Sequence, residues 1–476
     1  MACPECGEGH LEAVYSMRGL TPKHFEDGAG VWKYSALLPT VKPRVTLNEG
    51  GTPLFRCSRV LEGSQVMVKD ESRNPTSSFA DRGSTVAVSI ALELGAERIA
   101  CASDGDTGAS VAAYASKADL DCVVFAPSSA ETGKLLQTLV YGAKLVRTPG
   151  TFRNSLARCS TACGSGCHNL TIETNPFAIE GEKTTAIEVV DQLGWNPPDF
   201  VVVPVGTGTN LYAIWKGYRE LVESGLISHC PRMVAVQAEA CSPIYEAYTT
   251  GEEIVDVIGG ESIASSIAIG DPVNGALAVQ ALRQSNGIAY AVPDEEMVDA
   301  VNMLGRREGI FAEPSSAATI SAARRLKEEG EADNSDVIVC IVTGSGLKVP
   351  DSIAKTLKPR LSAAWQLVSM EQKALGALGR AKIEMLEILG KSPNYGYGIW
   401  REMQQSYDDR MSLQAVYQHL DELQNMGLTD SAPSQRSQDR RRKYFKLTRR
   451  GEEILESIAG IRDSLLPVVD ADSGST

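Results

Sequence analysis

Four short polar stretches in this chain have the residue types and the settings to hold a small ligand. Gly206-Thr207-Gly208-Thr209-Asn210 follows the apolar run Val201–Val205 and opens a helix-like run at Leu211. Glycines let backbone N–H groups close on an anion, and a helix N-terminus adds a favourable dipole. Ser103-Asp104-Gly105-Asp106-Thr107-Gly108-Ala109 lies between a strand-like and a helix-like run, and Thr343-Gly344-Ser345-Gly346-Leu347-Lys348 follows the apolar Val337–Val342. The fourth is Asn74-Pro75-Thr76-Ser77-Ser78-Phe79-Ala80-Asp81-Arg82-Gly83, between the strand-like Val66-Met67-Val68 and the helix-like Ser84–Leu94. Polar loops at the mouths of strands are natural anion and small-ligand sites. Each is also compatible with an ordinary capped connection, and the strand-before, helix-after context is what favours a phosphate cradle at 206–210.

Two cysteine groupings and one basic run complete the chemically suggestive residues. Cys3-x-x-Cys6 is half of a zinc ribbon, and a structural site usually needs four ligands. His10 and Cys57 have the wrong spacing for a compact knuckle, so no metal site is assigned. Cys159 and Cys163 fall one turn apart on one helix face, while Gly164-Ser165-Gly166 sets Cys167 and His168 elsewhere. Small buried apolar side chains are the expected role of these thiols. Near the C-terminus Arg436, Arg440, Arg441, Arg442, Lys443, Lys446, Arg449 and Arg450 are opposed only by Asp439.

The elements that must position these residues follow from pattern. The 476 residues correspond to roughly three domain-sized units. A hydrophobic fraction of 43% is ample for large cores, and 43 glycines suit the tight loops of an α/β architecture. Strands are predicted at Arg98–Cys101, Cys122–Phe125, Lys144–Arg147, Phe200–Val205, Met233–Gln237 and Val337–Val342. Helices fall between them, as at Ala109–Lys117, Thr132–Tyr141 and Leu211–Glu223. This alternation predicts parallel sheets with helices on both faces, with room for two such sheets.

Composition changes near 359. Residues 359–378 read as a linking helix, followed by an amphipathic helix ending at Gly390 and a second at 395–403. A third helix, Leu413–Leu423, is capped by Ser412. A β-like Lys443–Leu447 and a last helix from Arg449 to Asp463, capped by Thr448, complete a winged helix, a helix-turn-helix variant. In that setting the basic run is where DNA phosphates would be met, and Gln414, Gln418 and His419 on the third helix could reach base edges. Solvated exposure accounts for these residues equally well.

The net charge of −14 argues against general nucleic-acid affinity, though not against a local basic surface. The N-terminus lacks the basic and apolar regions of a signal peptide. No apolar run approaches the ~18 residues that suggest a membrane span. Eleven scattered cysteines read as reduced thiols, which places the protein in the cytoplasm.

The stretch 74–83 resembles the Asn-Pro-Thr-Gly-Ser-Phe-Lys-Asp-Arg-Gly signature of threonine synthases, fold-type-II pyridoxal-phosphate enzymes. Gly51-Thr52-Pro53-Leu54, Lys69-Asp70-Glu71, Glu173–Phe177, Glu180–Thr184, Gly270–Asn274 and Glu313–Ala317 are similar too, so the resemblance spans about residues 45–355. It implies a two-lobed fold like the tryptophan synthase β-subunit, with Gly206, Thr207, Gly208, Thr209 and Asn210 on the cofactor phosphate. It implies Thr343 on the pyridine nitrogen and Ser77 and Ser78 on the substrate. It also exposes departures. The lysine that forms the Schiff base in the family is Ala80 here, and alanine offers neither nucleophile nor base. The asparagine that donates to the ring hydroxyl is Asp106, and an ionised aspartate cannot donate. Lys69 and Lys348 are near in motif space, but neither occupies the signature position. Ser77 stands where the signature has glycine. A directed lysine-to-alanine change would look the same at position 80; the departures at 77 and 106 point to natural drift.

Residues of about 380–460 resemble PadR-like regulators through Tyr395-Gly396-Tyr397-Gly398-Ile399, Ala415–Leu420, Met426-Gly427-Leu428 and Lys443–Gly451. The expected organisation is an N-terminal segment 1–47 with a partial zinc-ribbon CxxC, an enzyme-like domain 48–358, a linker helix 359–379, a winged helix 380–465 and a disordered tail 466–476. The expected function is a transcription regulator whose degenerate enzyme lobe senses pyridoxal phosphate, held noncovalently, or an amino-acid-type ligand. Its expected partner is DNA, through Gln414, Gln418, Arg440, Arg441, Arg442 and Lys443, and it is expected to be a homodimer. The alternatives are an active threonine synthase, converting O-phosphohomoserine to threonine and phosphate, and a diverged enzyme using free cofactor on another amino acid.

Overall fold

Apolar runs rich in Val and Ile form the centre of the larger sheet. In the computed structural model, which describes residues 11–456 apart from 18, 40, 62–63, 164–165, 258–259, 355–378, 380, 405–410 and 434–442, the chain divides into two compact units, Met1–Thr356 and Leu357–Thr476. The first unit begins with β1 (Leu54–Arg56), β2 (Gln65–Asp70), α1 (Ala80–Glu93), β3 (Arg98–Ala102), α2 (Asp106–Lys117), β4 (Asp121–Pro127), α3 (Thr132–Val140) and β5 (Lys144–Thr148). It continues with α4 (Phe152–Ala162), β6 (Cys167–Asn169), α5 (Pro176–Glu182), α6 (Thr184–Gln192), β7 (Phe200–Pro204), α7 (Thr209–Glu223) and β8 (Arg232–Ala238). It closes with α8 (Pro243–Thr250), α9 (Gly275–Gln284), β9 (Ile288–Val292), α10 (Asp294–Met303), α11 (Pro314–Glu328) and β10 (Val337–Val342).

Two sheets result. The larger has the order β1-β2-β10-β7-β8-β9 and the smaller β5-β4-β3-β6. Every described pairing is parallel except β1 with β2. Every residue of β7 is buried, as expected of a strand covered on both faces, which needs apolar side chains throughout. One core on the larger sheet sets Val201, Val203 and Ile341 with Leu211, Ile214 and Tyr218 of α7. A second sets Val202, Val234 and Cys340 with Ala317, Ile320 and Leu326 of α11. The core of the smaller sheet joins Ile99, Cys101 and Val124 to Val88 and Tyr114.

In the first unit the predicted strands and helices are present with ends shifted by a few residues; β1, β6 and β9 are not among the predicted strands. One boundary shift bears on the site. The sequence places residues 74–83 in a loop, whereas α1 begins at Ala80. Asp81 accepts hydrogen bonds from Thr76 N at 2.7 Å and Thr76 Oγ1 at 2.7 Å, which folds the loop back onto the first turn.

In the second unit residues 381–391 are helical, followed by β11 (Asn394–Tyr395), α12 (Gly396–Met403), α13 (Leu413–Asn425), β12 (Thr429–Ala432) and β13 (Tyr444–Leu447). The three strands form an antiparallel sheet in the order β11-β13-β12. Ser412 accepts from Ala415 N at 3.2 Å, and Thr448 accepts from Gly451 N at 3.1 Å, so both predicted caps are made. Met385, Leu389, Ile399, Leu420 and Phe445 share the core. The proposed linker helix, the tail, the CxxC pair Cys3 and Cys6, and Arg440, Arg441 and Arg442 lie outside the described residues.

Candidate ligand pocket and candidate nucleic-acid face

A cavity lies where β2, β7 and β10 of the larger sheet and β3 of the smaller reach their carboxyl ends, the usual ligand position in such sheets. Phe79, Asp104, Asp106, Glu173, Glu182, the 206–210 loop, Glu313 and Thr343 are among its lining residues. The 206–210 loop is tight because its glycines allow it to be. Gly208 adopts φ +96° and caps α7. A Cβ there would come within 2.5 Å of the Asn274 carbonyl oxygen, and one at Gly206 within 2.2 Å of that of Ser266. Thr209 Oγ1 accepts from Asn274 Nδ2 at 2.8 Å. Both polar atoms of the Asn210 amide are buried without a hydrogen-bond partner. Thr207 Oγ1 donates to Glu173 Oε1 at 3.2 Å.

Thr343 follows β10, with its hydroxyl 2.8 Å from that of Ser316. Gly344 N donates to Ser316 Oγ at 2.9 Å, so Ser316 fixes this corner. Ser77 and Ser78 sit beside it. Ser345 N donates to Ser77 O at 3.2 Å, and the buried Ser78 Oγ accepts from Ala80 N at 3.3 Å. Ser77 is held at φ +63°, the left-handed region that favours glycine.

Asp106 begins α2 and joins a nearly buried cluster of charge. Lys134 Nζ lies 3.1 Å from Asp106 Oδ2 and 3.3 Å from Glu313 Oε2, and Lys348 Nζ lies 3.2 Å from Asp106 Oδ1. Lys134 also donates to Ser266 Oγ at 2.7 Å, and Lys348 to Thr76 O at 2.8 Å and Gln137 Oε1 at 2.9 Å. Burial opposes ionisation of Asp106, but the two ammonium groups outweigh it and hold its carboxyl at about 2. Burial likewise opposes the charge on Lys134, and Asp106 and Glu313 outweigh it, so its ammonium is held above the usual lysine range.

Ala80 is fully buried and presents only a methyl group. The lysines considered as substitutes are engaged elsewhere. Lys69 Nζ is 2.5 Å from Glu188 Oε1 and 2.7 Å from Thr52 O, and Lys348 is in the Asp106 cluster. The remaining carboxyls of the cavity are dominated by desolvation. Burial pushes Glu173 up to about 7, Glu313 up to about 6, and Glu182 well above the carboxylate range. Lys134, Glu173, Glu182, Ser266, Glu313 and Ser316 were given no site role from sequence. Apart from Glu313 and Ser316, both at the start of α11, they lie on different elements, and spacing along the chain carries no signal that joins those elements.

The framework behind the loops is ionic. Arg82, fully buried on α1, donates to Glu71 Oε2 at 2.6 Å through Nε and to Glu188 Oε1 at 2.9 Å through Nη2. Its Nη2 also donates to Thr52 Oγ1 at 3.1 Å.

In the second unit, Gln414, Tyr417 and Gln418 of α13 are exposed, while Val416, Leu420 and Leu423 face the core. Gln418 Nε2 donates to Glu422 Oε1 at 3.4 Å. Lys443 is exposed; it donates to Gln424 Oε1 at 2.9 Å and lies over the Phe445 ring at 4.9 Å. Among the described residues no group of three or more His, Cys, Asp or Glu could hold a metal, and no helix is long and apolar enough to cross a membrane. Cys159 is buried, and Cys163 and Cys167 are half-buried against the same apolar cluster.

Residues 45–344 match the pyridoxal-phosphate dependent enzyme family, and residues 385–457 match the PadR-like family of transcriptional regulators. The chain is 43% identical over 360 residues to a threonine synthase of Methanocaldococcus jannaschii, covering 73% of this chain and 89% of that one. It is 40% identical over 359 residues to a threonine synthase of Methanosarcina acetivorans, covering 74% and 88%. Maize serine racemase shares the fold, with a TM-score of 0.55 at 19% identity over 66% of this chain and 93% of that one.

Proposed function

We propose, on the premise that the chain belongs to the threonine synthase family of pyridoxal-phosphate-dependent enzymes and carries a PadR-like segment, that it has lost threonine synthesis and acts as a ligand-sensing transcription regulator. The observation that carries this reading is the buried methyl group of Ala80 at the head of α1. Bound pyridoxal phosphate supplies an electrophilic aldehyde and an electron-withdrawing ring. A lysine at position 80 would tether that group and move protons, and general acid–base catalysis alone is worth ~10²–10⁴-fold. Lys69 and Lys348 have other partners, and neither is free to take over.

The phosphate end of the pocket fits the group. The unpartnered Asn210 amide, the close-packed glycines and the N-terminus of α7 together suit a phosphate dianion. Gly206, Thr207, Gly208, Thr209 and Asn210 would hold that end, and Thr343, steadied by Ser316, would serve the ring nitrogen. Asp106 would serve the ring hydroxyl as an ionised acceptor, and Ser77 and Ser78 would border the amino-acid end. Gln414 and Gln418 read base edges, while Arg440, Arg441, Arg442 and Lys443 meet phosphates. A homodimer matches the usual two half-sites. Ligand binding alters DNA affinity to the extent that the two events are thermodynamically coupled.

The test uses the full-length protein. Labelled DNA from the neighbourhood of its own gene is expected to shift at low salt, with an affinity that changes when pyridoxal phosphate and amino acids are added. Borohydride is expected to fix no cofactor to the chain, and O-phosphohomoserine is expected to yield no threonine. Turnover at ordinary enzymatic rates, or no DNA binding at low salt, overturns the reading. The family's own reaction remains the second reading, favoured by identity along nearly the whole enzyme-like region; threonine formation by the unmodified protein would establish it.

A further inference from the structure

Glu182 is a buried carboxyl without a counterpart. It is fully buried on α5, and neither of its oxygens has a hydrogen-bond partner. The charged groups that act on it are Glu173 and Glu71, both carboxyls. Its location is fixed by the close approach of α5 to α1. A Cβ at Gly181 would fall 1.9 Å from the Arg82 carbonyl oxygen, and one at Gly83 would lie 3.4 Å from Glu182 Cγ. Gly83 and Ala80 are one turn apart on the same face of α1. The side chain of Glu182 therefore packs on the face that carries Ala80, and it lines the same cavity as the 206–210 loop. A desolvated carboxyl with no donor is half of an ion pair, and a cation from outside can complete it.

We infer that the cavity takes its vitamin B6 phosphate in the amine form, with the ligand's ammonium on the Glu182 carboxylate beside Ala80. This rests on the proposed reading of the pocket as a site for that cofactor class. The aldehyde form gains a covalent hold only where the protein supplies an amine, and position 80 supplies none. The amine form brings its own cation to a place where the chain offers an unpaired acid. Its phosphate occupies the 206–210 loop as before. Because burial favours the protonated state of Glu182 in the empty cavity, binding of the ammonium displaces a proton from this carboxyl.

The test is calorimetric titration of the full chain with pyridoxamine 5′-phosphate, pyridoxal 5′-phosphate and pyridoxine 5′-phosphate. The last has a neutral hydroxyl where the first has an ammonium. The amine is expected to bind about tenfold or more tightly than the alcohol, as for a hydrogen bond to a charged group, with proton release seen as a buffer-dependent heat. Glu182→Gln is expected to abolish that preference and the proton release, bringing the amine and the alcohol to the same affinity. Ala80→Lys, which restores an internal amine, is expected to turn the preference toward the aldehyde. Equal binding of amine and alcohol overturns the inference, as does a preference that survives in Glu182→Gln. Failure of all three compounds to bind overturns the underlying reading of the pocket, and the inference with it.

Discussion

Single residues in this chain depart from their surroundings in ways that can be measured. Ser77 adopts φ +63° at the position where the related signature has glycine. A non-glycine residue there costs ~1–2 kcal/mol, partly offset by the entropy glycine loses on folding. Ser77→Gly is expected to stabilise the chain by about 0.5–1 kcal/mol, seen as a higher Tm; an unchanged or lower Tm would show that the Ser77 side chain compensates. Arg82 is the opposite case, because its surroundings require it. It is the guanidinium shared by the buried Glu71 and Glu188. Arg82→Leu leaves Glu188 with the Lys69 ammonium and Glu71 with the neutral donors Thr52 and Asn74, and is expected to cost ~3–5 kcal/mol. Urea unfolding followed by tryptophan fluorescence measures it, and a loss below about 1 kcal/mol would mean the carboxylates simply take up protons.

The elements carry a second set of expectations. Helix α13 is amphipathic in a way that separates stability from recognition. Leu420 is fully buried, so Leu420→Ala is expected to destabilise the second unit by ~2–5 kcal/mol. The unfolding transition of the first unit is expected to stay where it is, which differential scanning calorimetry can resolve. Gln414 and Gln418 lie on the other face and are exposed. Alanine at Gln418 is expected to leave the melting behaviour unchanged and to cost ~1–3 kcal/mol of discrimination between specific and random DNA. A uniform loss on all sequences would instead assign Gln418 to backbone positioning.

At the scale of the whole molecule, buried acids set the pH dependence. Asp81 is pushed up to about 6 and Glu173 to about 7, in both cases chiefly by burial, and Glu313 rises to about 6 for the same reason. Each binds its proton more tightly folded than unfolded. Between the ordinary carboxylate range and about pH 7 the native state therefore holds more protons, and stability falls as pH rises. Asp106, held at about 2, acts in the other direction. Its stabilisation is complete above the ordinary aspartate value and is lost only as pH falls toward 2. The first unit is thus expected to melt at a higher temperature at pH 5 than at pH 8. Glu173→Gln is expected to flatten that slope, and a profile that rises from pH 5 to pH 8 would contradict it.

Much of this was legible in the order of residues. The all-apolar runs at 200–205 and 337–342 could be stable only as strands covered on both faces, and their alternation with helix-length runs required parallel sheets. Ser412 and Thr448 announced helix starts through local hydrogen bonding alone. Position 80 was legible too, because a signature is a linear pattern and its missing lysine is visible without coordinates. What only the tertiary structure decided is the company those residues keep. Lys134, Asp106, Lys348 and Glu313 come from four separate segments, and Glu182 reaches the face of Ala80 only because Gly181 and Gly83 let two helices touch. Short-range propensity acts within a few residues, whereas desolvation and ion pairing depend on distance in space, and that distance is set when the sheets close on one another.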